Sequence, residues 1–151
     1  STLTFITRNV MTNLMNGIYL IMLIMLLWIT YTDIRSRTIS NKAVVAIFVM
    51  SIPIALYHHN TINILAALSF LTLGFILFNF NILGAGDVKL ISALSLSLTP
   101  QQIWPFLWLI SVLGGLIVFI GFLFFRRSIR QSGVPYGPAI AVGFFLACFI
   151  T

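Results

Sequence analysis

The sequence predicts an all-α protein: a polytopic membrane helical bundle of about six transmembrane segments, with a short fourth helix. Three observations predict it. First, 60% of the 151 residues are hydrophobic and only 7% are charged, with a mean hydropathy of +1.13. A soluble domain of that composition could not cover its surface with polar groups. Second, the apolar residues fall into six runs separated by short polar connections, the pattern of antiparallel neighbours in a bundle. Third, the basic residues gather in alternate connections, which is the topological signature of membrane proteins.

The chain opens with an arm, residues 1–16, that is polar and rich in Thr and Asn. It has no basic-then-apolar lead-in, so no cleavable signal peptide is expected. Leu3, Ile6, Val10 and Leu14 share one helical stripe, which suits either an interfacial arm or a frayed end. Residues 17–151 then read as a single membrane-embedded domain. Its first segment runs from about Leu14 to Thr32, the second from about Ala43 to Tyr57 and the third from Ile62 to Phe80. The fourth, Val88 to Leu98, is too short to cross a hydrocarbon core of roughly 30 Å at about 1.5 Å per residue. It must extend into the headgroups or start inside a protein-lined cavity. The fifth runs from about Ile103 to Phe125 and the sixth from about Tyr136 onward. The second and fourth connections, "HHNT" and "TPQQ", are short polar loops.

Loop charge orients the bundle. Arg35, Arg37 and Lys42 lie in the first connection, Lys89 beside the third, and Arg126, Arg127 and Arg130 in the fifth. Only Arg8, of eight basic residues, is left for the other side. The positive-inside rule therefore expects these connections in the cytoplasm and both termini outside. The net charge of +6 is read as topology and headgroup attraction, with no nucleic-acid partner implied. Cys148 is the single cysteine, so neither a disulfide framework nor a CxxC zinc site is available. His58 and His59 lack a third ligand, and no metal or cofactor is expected.

The chain has only two acidic residues, Asp33 and Asp87, and both fall at the same end of the predicted bundle. Asp33 closes the first segment, where the helix dipole disfavours negative charge. Asp87 follows Gly84 and Gly86 at the first turn of the fourth segment, where the dipole favours it. If the two approach, repulsion and desolvation raise one of them, so that the pair shares a proton. Two carboxyls with separated roles are what aspartic-protease chemistry requires: one takes a proton from the attacking water and the other donates to the developing oxyanion. The dipoles alone would make Asp87 the base and Asp33 the acid. Each acid also has a plain structural reading, Asp87 as a helix N-cap and Asp33 as an interfacial partner of Arg35 or Arg37.

Three stretches carry a resemblance. "DIRSRTISN" from Asp33 is similar to the D-x-R-x-x-x-I-P-N segment of type IV prepilin leader peptidases. "GAGDVKL" from Gly84 is similar to their G-x-G-D-x-K-L segment, and "VPYGPAIAVG" from Val134 to their Pro-Tyr-Gly-Pro-Ala-Ile segment. The resemblance spans residues 33 to 143. It implies a membrane aspartic endopeptidase of the bacterial inner (cytoplasmic) membrane, cutting the basic leader from a pilin-like precursor at the cytoplasmic face. Asp33 and Asp87 would be the catalytic pair, and Gly84 and Gly86 would shape the active-site loop. Ser40 stands where the family places proline. Without the paired CxxC motifs of longer members, the chain resembles a peptidase-only form, and no methyltransferase activity is expected.

Four further residues are candidates for substrate contact: Lys89, Arg35, Tyr136 and Gly137. Lys89, Arg35 and Arg37 share one ambiguity: each reads as a snorkelling, topological or headgroup charge, or as a group that recognises an acidic residue near the start of the mature pilin, as the resemblance would imply. Gly74, Gly114, Gly115, Gly121 and Gly143 read as close helix packing. Two other functions fit the same residues: a presenilin-like GxGD protease cutting within the bilayer, and a non-enzymatic transport or assembly subunit using the acids as proton or cation sites. The particular precursor and the oligomeric state are not encoded in any of these features.

Overall fold

A computed structural model describes residues 1–127 and 134–150 of the chain; Arg130 lies outside them. Six helices follow in order: α1 Thr2–Ser36, α2 Asn41–His59, α3 Ile64–Asn79, α4 Ala85–Ser95, α5 Pro100–Phe124 and α6 Gly137–Ile150. Helices α1, α2 and α5 are long and apolar enough to cross a membrane. Helices α3 and α6 are shorter apolar helices. The outer surface is a coat of exposed Leu, Ile, Val and Phe side chains, as a multi-pass membrane protein requires.

Several boundaries differ from expectation. The polar arm is helical, and α1 is one continuous rod of 35 residues, about 52 Å at 1.5 Å per residue. Its threonines bond back onto the helix: Thr7 donates to Leu3 O at 3.0 Å and Thr12 to Arg8 O at 2.9 Å. The "HHNT" connection is shorter than read, because α2 continues to His59. His58 packs its ring against Tyr19 and Tyr57. The "TPQQ" stretch is a helix start rather than a loop. Thr99 and Gln102 form a reciprocal capping box with Pro100 in the first turn.

The short α4 resolves its length problem by being enclosed. It packs against α2, α3 and α6, and Val88 and Leu90 to Ser95 are buried. Its buried hydroxyls are satisfied within the helix, Ser92 donating to Val88 O at 2.8 Å and Ser95 to Ser92 O at 2.7 Å. Around this centre, α1 packs on α2 and α6, and α5 on α6. Phe106 of α5 meets Phe144 of α6 and Phe70 of α3 edge to face, with ring centroids 6.2 and 6.5 Å apart. Asn63 ties the start of α3 to the connection after α4: its side chain accepts from Ala66 N–H and donates to Leu98 O at 3.1 Å.

Of the glycines read as packing positions, Gly74 leaves no room for a Cβ beside Val88, which is how α3 and α4 close on each other. Gly143 similarly lies against Ile110. Gly115 does not follow the reading, since a Cβ there would meet nothing within 4 Å.

Candidate active site

Asp33 is aimed by the periodicity of α1. Met22, Leu26, Ile29 and Asp33 succeed one another at steps of four, three and four and are all buried, so the acid occupies the next place on the core-facing stripe. Asp87 is aimed by the start of α4. Gly84 is the N-cap, in extended backbone, and Asp87 is the third residue of the helix, so the acid is not itself the cap. Asp33 is 5% exposed and Asp87 7%, figures that exclude two simply solvated interfacial acids.

Both carboxyls line one cavity of about 390 Å³ at the end of the bundle, with Arg37, Asn81, Val134 and Tyr136 on the other walls. Two turns build its rim. Arg37 ends α1 in the left-handed region, φ 55°, with its N–H donating to Asp33 O at 3.0 Å. Asn81 ends α3 at φ 56°, where its N–H donates to Phe78 O and that of Ile82 to Leu77 O, the paired bonds of a Schellman turn.

Close backbone approach fixes the acids. Gly137 N–H donates to Asp33 Oδ2 at 2.7 Å, and a Cβ on Gly137 would fall 2.7 Å from that same oxygen. A Cβ on Gly84 would fall 2.9 Å from Asp87 Oδ2, and one on Gly86 would lie 3.0 Å from Ile39. Glycine is needed at these positions for space rather than for unusual backbone angles. Burial, reinforced by the Asp33 carboxylate and opposed by the Gly84 N–H, pushes Asp87 up to about 7. Asp87 Oδ1 is buried and has no hydrogen-bond partner among the described residues.

The candidate residues separate accordingly. Tyr136 and Gly137 reach the site, Tyr136 as a wall and Gly137 as a hydrogen-bond donor to Asp33. Gly84 lines the cavity, and Gly86 seats the start of α4 against Ile39. Arg35 and Lys89 do not line it. Arg35 is exposed and turns back to the Tyr31 hydroxyl and ring, while Lys89 donates to Asn41 Oδ1 at 3.3 Å. Arg37, read from the sequence chiefly as a topological charge, does line the cavity. Its position four after Asp33, on the continuation of the same stripe, is the signal that marks it. Asn81 carried no such signal.

The model of the type IV leader peptidase family matches residues 20–120, two thirds of the chain, from the middle of α1 through most of α5. The chain belongs to the type IV leader peptidase family. Both Asp33 and Asp87 lie within the matched span, and Tyr136 and Gly137 lie beyond it. The prepilin peptidase EppA of Methanococcus maripaludis is 32% identical over 120 residues, an overlap of 80% of this leader-peptidase-family chain and 34% of the relative. The chain thus spans about a third of that relative's length. No solved structure matches it.

Proposed function

We propose that this chain is a membrane aspartic endopeptidase that removes the basic leader peptide of type IV pilin-like precursors at the cytoplasmic membrane face. Asp33 and Asp87 activate the attacking water. The observation that carries the reading is the pair itself: the only two acids of the chain are buried in one cavity, with Asp87 raised to about 7. A pair of this kind holds one proton between two carboxyls near neutral pH, the state a water-activating dyad needs. Family membership and the likeness to a prepilin peptidase support the substrate class.

The roles follow from what surrounds each acid. Asp33 accepts the Gly137 N–H and shares its cavity with Arg37, two neighbours that favour a negative charge and suit it to be the ionised member. Asp87 keeps an unpartnered oxygen in a buried site, which suits it to hold the proton. Asp33 then takes a proton from water as the water oxygen attacks the scissile carbonyl carbon, and Asp87 protonates the carbonyl oxygen. The resulting diol collapses as the C–N bond breaks and the leaving amine is protonated. This assignment is the reverse of that expected from helix dipoles alone, because burial and the neighbouring carboxylate outweigh the dipole at Asp87.

The cytoplasmic orientation rests on the basic residues at this end of the bundle. Arg35, Arg37 and Lys42 flank one acid, and Lys89 flanks the other. The acids lie at a helix end and a helix start, where a leader junction just outside the bilayer can be presented extended. The test is cleavage of a pilin-like precursor by the reconstituted wild type, Asp33→Asn and Asp87→Asn. Wild-type cleavage with loss of at least about 10³-fold in both variants is expected. Full activity in either variant would end the dyad assignment. Proton or cation flux without cleavage would instead establish the transport reading.

A further inference from the structure

We propose that Arg37 is a substrate-binding member of this site, its guanidinium donating to a backbone carbonyl oxygen of the extended peptide beside the scissile bond. The inference rests on the peptidase reading above and deepens it.

Three observations carry it. Arg37 lines the cavity that holds both carboxyls, and it also lines an adjoining cavity of about 420 Å³ walled by Ile34, Ile117, Ile120 and Phe125. Arg37 therefore stands where the polar site meets an apolar one. Next, Arg37 Nη1 is buried with no hydrogen-bond partner among the described residues. A charged donor left without an acceptor out of water is costly, so this N–H is held ready for an acceptor that arrives with something else. Last, the backbone places it there: at φ 55° Arg37 sits in a conformation that glycine or asparagine adopts far more readily. A turn alone would be better served by glycine, so the side chain is the reason for arginine.

The identity of the acceptor follows from the other groups in the cavity. An extended peptide presents an unpaired C=O and N–H at every residue. The two aspartates are engaged with the water and the scissile carbonyl, so neighbouring carbonyls need a separate donor. Arg37 is the cationic donor among the described cavity walls, and carbonyl oxygens are the acceptors every such peptide brings, whatever its side chains.

The test uses the full chain in lipid with a pilin-like precursor, and compares wild type, Asp33→Asn, Arg37→Gly, Arg37→Ala and Arg37→Lys. Arg37→Gly is the deciding variant because glycine keeps the left-handed turn while removing the guanidinium. We expect it to unfold at or above the wild-type temperature and to lose on the order of 10²-fold in kcat/KM. Arg37→Lys, which keeps a cationic donor, is expected to recover part of the loss. Arg37→Ala is expected to lose as much activity as Arg37→Gly and also some stability. Cleavage by Arg37→Gly within about threefold of wild type would overturn the proposal and leave Arg37 a turn residue. If the wild type itself does not cleave while folding normally, the peptidase reading fails and this proposal falls with it. If the wild type cleaves and only Asp33→Asn is inactive, the peptidase reading stands and the role of Arg37 alone is refuted.

Discussion

Gly137 and Asp33 lie 104 residues apart in sequence, yet the amide of one donates a 2.7 Å hydrogen bond to the carboxylate of the other. Because a Cβ at position 137 would fall within 2.7 Å of that oxygen, the smallest substitution displaces the acid. Gly137→Ala is expected to lower precursor cleavage by at least about 10²-fold, since displacements of an ångström at reacting groups have that effect. Stability should fall by only about 1–3 kcal/mol. Cleavage kinetics and thermal unfolding in detergent measure the two effects separately.

The protonation of Asp87 gives a pH signature. Burial first, and the Asp33 charge second, raise it from 3.8 to about 7. The folded protein therefore holds this proton between about pH 4 and 7, where the unfolded chain has released it. Stability from this group is fully present below about pH 4 and is lost as pH rises toward 7. Activity that needs the Asp87 proton declines as pH rises through about 7. The groups facing it are Asp33, Arg37 and Tyr136. Asp87→Asn, which cannot ionise, should unfold at nearly the same temperature as wild type at pH 4 and above it at pH 8. Calorimetry at the two pH values checks the sign.

Ser40 replaces the proline of the family segment at the N-cap of α2. Its φ of −65° is the angle proline imposes, and its side chain makes no cap bond. Among the described residues its N–H donates no backbone hydrogen bond. Ser40→Pro should therefore stabilise the protein by about 0.4–1 kcal/mol through the unfolded state, with cleavage unchanged. Thermal unfolding is the measurement, and a drop in stability would locate strain in the turn before α2.

Two helical glycines should respond oppositely to the same change. Gly74→Ala forces α3 away from Val88 on the helix that carries Asp87, with an expected loss of about 1–3 kcal/mol. Gly115→Ala meets open space and gains helix propensity, so its stability should hold or rise by up to about 1 kcal/mol. Paired thermal unfolding of the two variants decides.

Much of the candidate site's geometry was legible because it is written in local patterns. Asp33 continues the Met22, Leu26, Ile29 stripe, and Asp87 follows two glycines before an apolar helix. The bond from Gly137 was not legible, because a backbone N–H leaves no side-chain signature and its partner is distant in sequence. Arg37 was hidden by a competing explanation, since arginines near a membrane boundary report topology whatever else they do. The first turns of α1 were obscured because polar threonines blur the apolar period, although their hydroxyls bond back onto the helix. The start of α5 was the opposite case: Thr99, Pro100 and Gln102 spell a capping box that a loop reading overlooked.

The Gly137 contact also sets an order of events during synthesis. Both acids are translated and inserted with the first four helices, but the amide that aims Asp33 arrives only with the sixth. A chain halted before Gly137 would carry both carboxyls without the amide that holds the Asp33 carboxylate. On the dyad reading, a complete site would then form only once the sixth helix has docked.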